Sequence, residues 1–132
     1  MIIDTSAMIA LLREEPESAR FVPVMAKAHP FLKMSTASYL EAAIVIDSND
    51  SKLLSARLDA VIDYWGIELV PVAPNHARIA REAYRRFGKG HHPAALNFGD
   101  CLAYALAVAS GEPLLFKGND FTRTDIEPAS LP

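Results

Sequence analysis

Met1-Ile2-Ile3-Asp4-Thr5-Ser6-Ala7-Met8-Ile9-Ala10-Leu11-Leu12 contains the unit from which the rest of the chain is read. The run Met1 to Ile3 has the unbroken hydrophobicity of a short strand buried on both faces. Asp4-Thr5-Ser6 supplies helix-capping side chains, and Met8, Ile9, Leu11 and Leu12 continue as the apolar side of a helix. The same passage recurs. Phe31-Leu32-Lys33-Met34 predicts a second strand, with Ser35-Thr36 and Ser38 as caps for a helix through Leu40, Ala43, Ile44 and Ile46. Ile67 to Val72 predicts a third strand, and Pro74-Asn75 opens a helix to about Phe87. Pro113 to Phe116 predicts the last strand.

Three further helices fill the intervals. Pro16 is expected to stop the first helix, with Glu14, Glu15 and Glu17 favouring another through about Lys27. Leu53, Leu54, Leu58, Val61, Ile62 and Trp65 share one face of a helix punctuated by Gly66. Asn97-Phe98-Gly99-Asp100 then precedes a helix whose body, Cys101 to Ala109, is apolar on nearly every side and must be packed on more than one face. Short apolar strands alternating with helices predict an α/β fold, a mostly parallel sheet flanked by helices on both faces.

Length and composition bound the reading. At 132 residues, 51% of them hydrophobic, the chain is expected to form a single domain, 1–132, burying roughly two-thirds of its unfolded surface. Thirteen Lys plus Arg against sixteen Asp plus Glu leave a net charge of −3, so nucleic acid would have to be held by local arrangement rather than by a global basic field. Cys101 is the only cysteine, which excludes an intrachain disulfide, and His29, His76, His91 and His92 are not spaced as a zinc site. The N-terminus lacks a signal peptide's charged and apolar regions, and the longest apolar stretch falls short of the ~20 residues that span a bilayer. A cytoplasmic protein, away from membranes, is expected.

In parallel α/β sheets the ligand site lies beyond the carboxyl ends of the strands. That rule selects Asp4 after the first strand, Glu41 one turn into the helix after the second, Asp100 at the head of the apolar helix and Asp120 in the turn after the last strand. Carboxylates gathered so closely stay ionised only around a cation, and their hard oxygens suit Mg²⁺ or Mn²⁺. Such a site activates water and neutralises charge on phosphorus, so phosphodiester hydrolysis is its natural reaction. Each acid also has an ordinary reading. Asp4 and Asp100 resemble N-caps, Ser38 and Glu41 fit a capping box, and Asp120 suits a turn.

The ordered stretches Met1 to Ala7, Ser38-Tyr39-Leu40-Glu41, Leu96 to Ala107 and Leu114-Leu115-Phe116-Lys117-Gly118-Asn119-Asp120-Phe121 resemble the motifs of PIN-domain nucleases. More closely they resemble VapC-type toxins of type II toxin–antitoxin pairs. The resemblance spans nearly the whole chain and implies a PIN-like three-layer sandwich and a Mg²⁺- or Mn²⁺-dependent endoribonuclease. It further implies an enzyme silenced by a cognate VapB-like antitoxin and usually homodimeric. By motif, Asp4 and Asp100 match the principal metal-binding aspartates and Glu41 the further acidic residue. Many relatives carry two acids where this chain has Asn119-Asp120, which leaves Asp120 as the fourth. Thr5 or Ser6 matches a small hydroxyl residue beside the metal.

Arg78, Arg81, Arg85, Arg86 and Lys89 gather ahead of the Asp100 motif, with Arg78, Arg81 and Arg85 at helical spacing. They read either as an RNA-backbone contact or as a solvated face paired to Glu82. Lys117 reads as a phosphate contact or as plain surface. His91-His92 is open to a general-base role, and Cys101 and Tyr104 read as packing residues. The apolar excess of the helix pair in residues 5–29 marks a candidate antitoxin or dimer surface. Transfer, ribosomal and messenger RNA are all compatible with the pocket. A housekeeping RNA-processing nuclease and a catalytically silent binding module are the alternatives. A receiver domain would need adjacent acids after the first strand, and an Asp-x-Asp phosphatase is excluded by Ser6.

Overall fold

The computed structural model describes residues 1–132. Four short strands, β1 (Ile2–Ile3), β2 (Lys33–Ser35), β3 (Glu68–Val70) and β4 (Leu114–Leu115), form one wholly parallel sheet in the order β3-β2-β1-β4. Six helices surround it: α1 (Thr5–Leu12), α2 (Ser18–Ala28), α3 (Thr36–Asn49), α4 (Lys52–Trp65), α5 (Pro74–Phe87) and α6 (Phe98–Ser110). The register pairs Ile2 with both Lys33 and Leu114, and Ile3 with Leu115.

Alternation along these strands builds a core on each face. Ile3 and Leu115 join Met8, Leu12, Phe21, Met34 and Ile46 beneath α1 to α4. Ile2 and Leu114 join Ala83, Phe87, Leu102 and Leu106 beneath α5 and α6. Both isoleucines are fully buried, each worth roughly 1.5–3 kcal/mol over exposure. The three layers expected from the alternating pattern are present. So is the multiply packed helix: every residue of α6 from Gly99 to Ala107 except Asp100 is buried.

Local differences have local causes. The first helix ends at Leu12, ahead of Pro16, because Glu14 takes left-handed backbone (φ 53°) and the Glu15 N–H closes onto the Ala10 carbonyl at 2.9 Å. The second starts at Ser18, after the acids expected to open it. Ser35 alone caps α3, its hydroxyl accepting from the Ala37 N–H, so Ser38 lies inside the helix and makes no capping box with Glu41. The apolar excess in residues 5–29 is also not a free surface. Leu12 and Phe21 are buried and Leu11 and Val24 half-buried, because α1 packs against α2, α3 and α4 together.

Strand order reverses around β1: the chain passes outward to β2 and β3, then returns to β4 on β1's other side. The crevice where connections diverge therefore opens beyond Ile3 and Leu115. At the outer edge, the closing segment runs beside β4, with Leu114 donating to the Glu127 carbonyl (2.9 Å) and accepting from the Ala129 N–H (2.8 Å). Tyr104 and Arg86 hold that segment through the Asp125 carboxylate at 2.7 and 3.0 Å.

Candidate functional site

Asp4 leaves β1 directly as the N-cap of α1, and is 3% exposed. Its Oδ2 accepts from the Ser6 N–H at 2.9 Å and the Ser6 hydroxyl at 2.5 Å. The Ser6 oxygen in turn accepts from the Lys117 N–H at 2.9 Å. A single hydroxyl thus ties the exits of β1 and β4 to one carboxylate. Burial pushes the Asp4 carboxyl up; the Ser6 hydrogen bonds oppose this, and the charge of Glu41 adds to it. Thr5 acts elsewhere, its hydroxyl donating to the Ser38 carbonyl at 3.2 Å and fastening α1 to α3. Of the two hydroxyl candidates, Ser6 touches the carboxylate.

Asp100 sits at the third position of α6. Its Oδ2 accepts from the Asn97 N–H at 3.0 Å while the Asn97 side chain accepts from the Asp100 N–H at 2.9 Å. This capping box fixes the carboxylate at a helix N-terminus, where negative charge is favoured. Burial nevertheless pushes its pKa up to about 6, against the Asn97 N–H, with the charges of Asp4, Asp120 and Glu41 adding to the rise. Glu41, released from capping, lays its carboxylate over Gly99: a Cβ there would stand 2.0 Å from Oε2 and 2.7 Å from Cδ. Asp120 is exposed and opens a 3-10 turn, Asp120–Arg123.

The four acids come from four separate segments, yet Asp100 feels the charges of the other three. None of them forms an ion pair, whereas Glu14, Glu15, Glu17, Asp50, Glu82, Glu112 and Asp125 all do. The Ser38 hydroxyl, on the α3 turn before Glu41, is buried without a partner. Oxygen donors lacking any cationic partner, with an orphaned hydroxyl on a neighbouring turn, fit a hard divalent cation. The carboxylates do not by themselves close into a group of three around one point, so water or substrate oxygens would complete the coordination.

The basic residues separate into different roles. Lys117 is bound to Glu15 (2.5 Å) and Glu17 (3.5 Å), so its charge is already answered and it is not a free phosphate contact. Arg86 pairs with Asp125 and lies over the Phe87 ring, 4.6 Å from its centre, where it braces the fold. Arg85 reaches Glu82 at 3.7 Å across an exposed face, as the solvated-face reading expects. Arg81 and Lys89 are exposed and form no ion pair, and Arg81 and Arg85 line a groove beside α6. Ser38 was visible in the sequence only as a cap; its place three residues before Glu41 was the available signal.

The raised Asp100 carboxyl has a thermodynamic signature. A group whose folded pKa lies above its unfolded value binds its proton more tightly when folded, so its contribution to stability falls as pH rises from about 4 to about 6. In chelator, the wild-type melting temperature relative to Asp100→Asn is expected to drop across that window. The subtraction largely cancels the opposite contributions of the lowered Glu112 and Asp125. Added Mn²⁺ should stabilise the wild type more at pH 7 than at pH 5. A flat difference would remove the electrostatic account of this carboxylate.

A family model described as PIN domain matches residues 1–127. The chain is 48% identical over 132 residues to Ribonuclease VapC30 of Mycobacterium tuberculosis, covering 100% of both. It is 49% identical over 130 residues to Ribonuclease VapC28 of the same species, covering 98% of this chain and 97% of the relative. It is 49% identical over 126 residues to Ribonuclease VapC of Mycolicibacterium smegmatis, covering 96% and 97%. Among solved structures, the fold resembles VapC20 of M. tuberculosis, a Sarcin-Ricin loop cleaving toxin, with a TM-score of 0.81 at 16% identity over 99% and 98% of the two chains. It also resembles a chain of a toxin–antitoxin complex from Klebsiella pneumoniae, with a TM-score of 0.70 at 14% identity over 94% and 92%.

Proposed function

The chain belongs to the PIN-domain family, alongside the VapC proteins, and from that premise we propose that it is a divalent-metal-dependent endoribonuclease serving as the toxin of a type II toxin–antitoxin pair. One observation carries the chemical part: Asp4, Glu41 and Asp120 lie within electrostatic reach of Asp100 while the chain's cations are committed elsewhere or left unpaired. The toxin role draws on the ribonuclease names of the VapC relatives, and the VapB-like antitoxin partner on the complex that shares the fold. No helix is long and apolar enough to cross a membrane.

Asp4, Asp100, Glu41 and Asp120 would hold the Mg²⁺ or Mn²⁺. When bound, the ion supplies Lewis acidity at a phosphoryl oxygen and makes water a stronger nucleophile. The chain's own residues prepare that site. Ser6 orients Asp4, the Asn97 N–H orients Asp100, and the absent side chain at Gly99 leaves room for Glu41. The low-dielectric setting that raises Asp100 also strengthens its attraction for a doubly charged ion. Arg81 and Lys89, with Arg85 more loosely engaged, remain available for the RNA backbone.

Purified full-length chain incubated with total RNA should yield discrete fragments in Mg²⁺ or Mn²⁺ and none in EDTA. Fragments that persist in EDTA would overturn the metal requirement, and intact RNA under every condition would overturn the nuclease reading. The second reading, a silent protein-binding module, is favoured by the absence of three ready-placed ligands. It predicts intact RNA together with no Mn²⁺-induced rise in melting temperature.

A further inference from the structure

Ser38 is 1% exposed on α3, and its hydroxyl has no hydrogen-bond partner. The one other buried side-chain atom in that condition, Glu17 Oε2, at least faces the Lys117 ammonium at 3.5 Å. A serine inside a helix can turn its hydroxyl back onto the carbonyl four residues earlier, but Ser38 does not. Left unanswered in the interior, the group costs stability that alanine, with better helix propensity and nearly the same volume, would not. Packing alone therefore gives no reason for a serine here, and neither a cap nor a contact between elements engages its side chain.

Two features fix where it stands. Thr5, the residue after Asp4, donates its hydroxyl to the Ser38 carbonyl at 3.2 Å, so this turn of α3 lies against the first turn of α1. Glu41 follows three residues on, at the spacing that makes side chains neighbours on one helix face. Its carboxylate leans toward Gly99 and enters no hydrogen bond or ion pair. A donor and an acceptor, each without a partner, are thus one turn apart. The Glu41 charge is also felt at Asp4, so both carboxylates border the region that Ser38 occupies. Resting on the metal-dependent reading of that rim, we infer that Ser38 is a positioning residue: with the divalent ion loaded, its hydroxyl donates to one Glu41 oxygen and leaves the other to the ion. A carboxylate held by such a charge-assisted hydrogen bond meets the cation in one orientation rather than several. The hydroxyl favours the loaded site over the metal-free fold, and its removal acts on the two with opposite sign.

The test uses the full chain and Mn²⁺ alone, with binding read from the electron paramagnetic resonance signal of the free ion and stability from thermal melting after chelation. Ser38→Ala is expected to melt at the wild-type temperature or up to about 5 °C above it without metal. It should bind Mn²⁺ about 10-fold more weakly, and the Mn²⁺-induced rise in melting temperature should shrink to match. In a Glu41→Ala background the same substitution should change Mn²⁺ binding by less than about twofold, since the acceptor is gone. Equal Mn²⁺ binding by wild type and Ser38→Ala overturns the assignment. So does weaker binding accompanied by a lower metal-free melting temperature, which would make the serine a packing residue. A further loss of about 10-fold in the Glu41→Ala background also overturns it, because the hydroxyl would then act without Glu41. A wild type that binds no Mn²⁺ fails the metal reading and this inference together, whereas a binding wild type matched by Ser38→Ala fails the inference alone.

Discussion

Asp100→Asn is expected to lower metal-dependent RNA cleavage by about a thousand-fold or more while leaving the melting temperature at neutral pH within a few degrees of the wild type. The two expectations have separate origins. As a cap, the Asp100 side chain accepts the Asn97 N–H through one oxygen, and an amide oxygen does the same at a cost of no more than about 1 kcal/mol. As a ligand, the carboxylate supplies a full negative charge in a half-buried position, and an amide supplies none. Loss of the charge also relieves repulsion from Asp4, Glu41 and Asp120, so the apoprotein should be no less stable above pH 6. Cleavage by this variant at the parental rate would remove Asp100 from the chemistry. A collapse in stability would mean that it serves chiefly as a cap.

Gly99→Ala is the sharper probe, because it touches no acidic residue in the sequence. Gly99 has ordinary helical backbone, and its value lies in the space above it. The added Cβ would overlap the Glu41 carboxylate, whose Oε2 lies 2.0 Å from that point. The end of a flexible side chain moves away cheaply, so folding is expected to survive with its cooperativity intact. The Glu41 carboxylate, however, is displaced from the rim, and cleavage should fall by about 10- to 100-fold, with the Mn²⁺ concentration for half-maximal rate rising in parallel. Unchanged metal dependence in a folded Gly99→Ala protein would exclude Glu41 from the site.

The sequence announced the layers because each strand is a short apolar run ending in a capping residue, a pattern compatible with few arrangements. Ile2 and Ile3 illustrate it: adjacent, both apolar and both fully buried, they fit only a strand covered on two sides. Helix ends were legible where a side chain caps them, as at Asp4 and Ser35, though at α6 Asn97 takes the cap that Asp100 suggested. They were misread where backbone conformation decides, as at Glu14. Ser38 and Glu41 matched a capping box in spacing, but Ser35 begins the helix three residues earlier, and that choice depends on where β2 delivers the chain.

At the acidic rim the sequence named the residues but not their supports. The contact between Glu41 and Gly99 joins positions 58 residues apart, and the Lys117 N–H reaches the Ser6 hydroxyl from the exit of the neighbouring strand. No periodicity encodes such pairs. Cations were harder still: Lys117 and Arg86 looked available for phosphate until Glu15, Glu17 and Asp125 were seen to claim them. The apolar helix pair near the N-terminus misled for a related reason. Composition reveals that a helix is greasy but not how many neighbours surround it.

The segment running from Asp125 to Ala129 beside β4 gives the last residues a protective office. A two-residue border strand with bare amides invites a stranger's backbone to continue the sheet, the usual route to insoluble ladders. Here the chain lays its own Glu127 and Ala129 along that margin and pins them with Tyr104 and Arg86. A copy shortened ahead of Glu127 would keep Asp4, Glu41, Asp100 and Asp120 and yet leave this seam unsewn, so its failing would be one of solubility before it was one of chemistry.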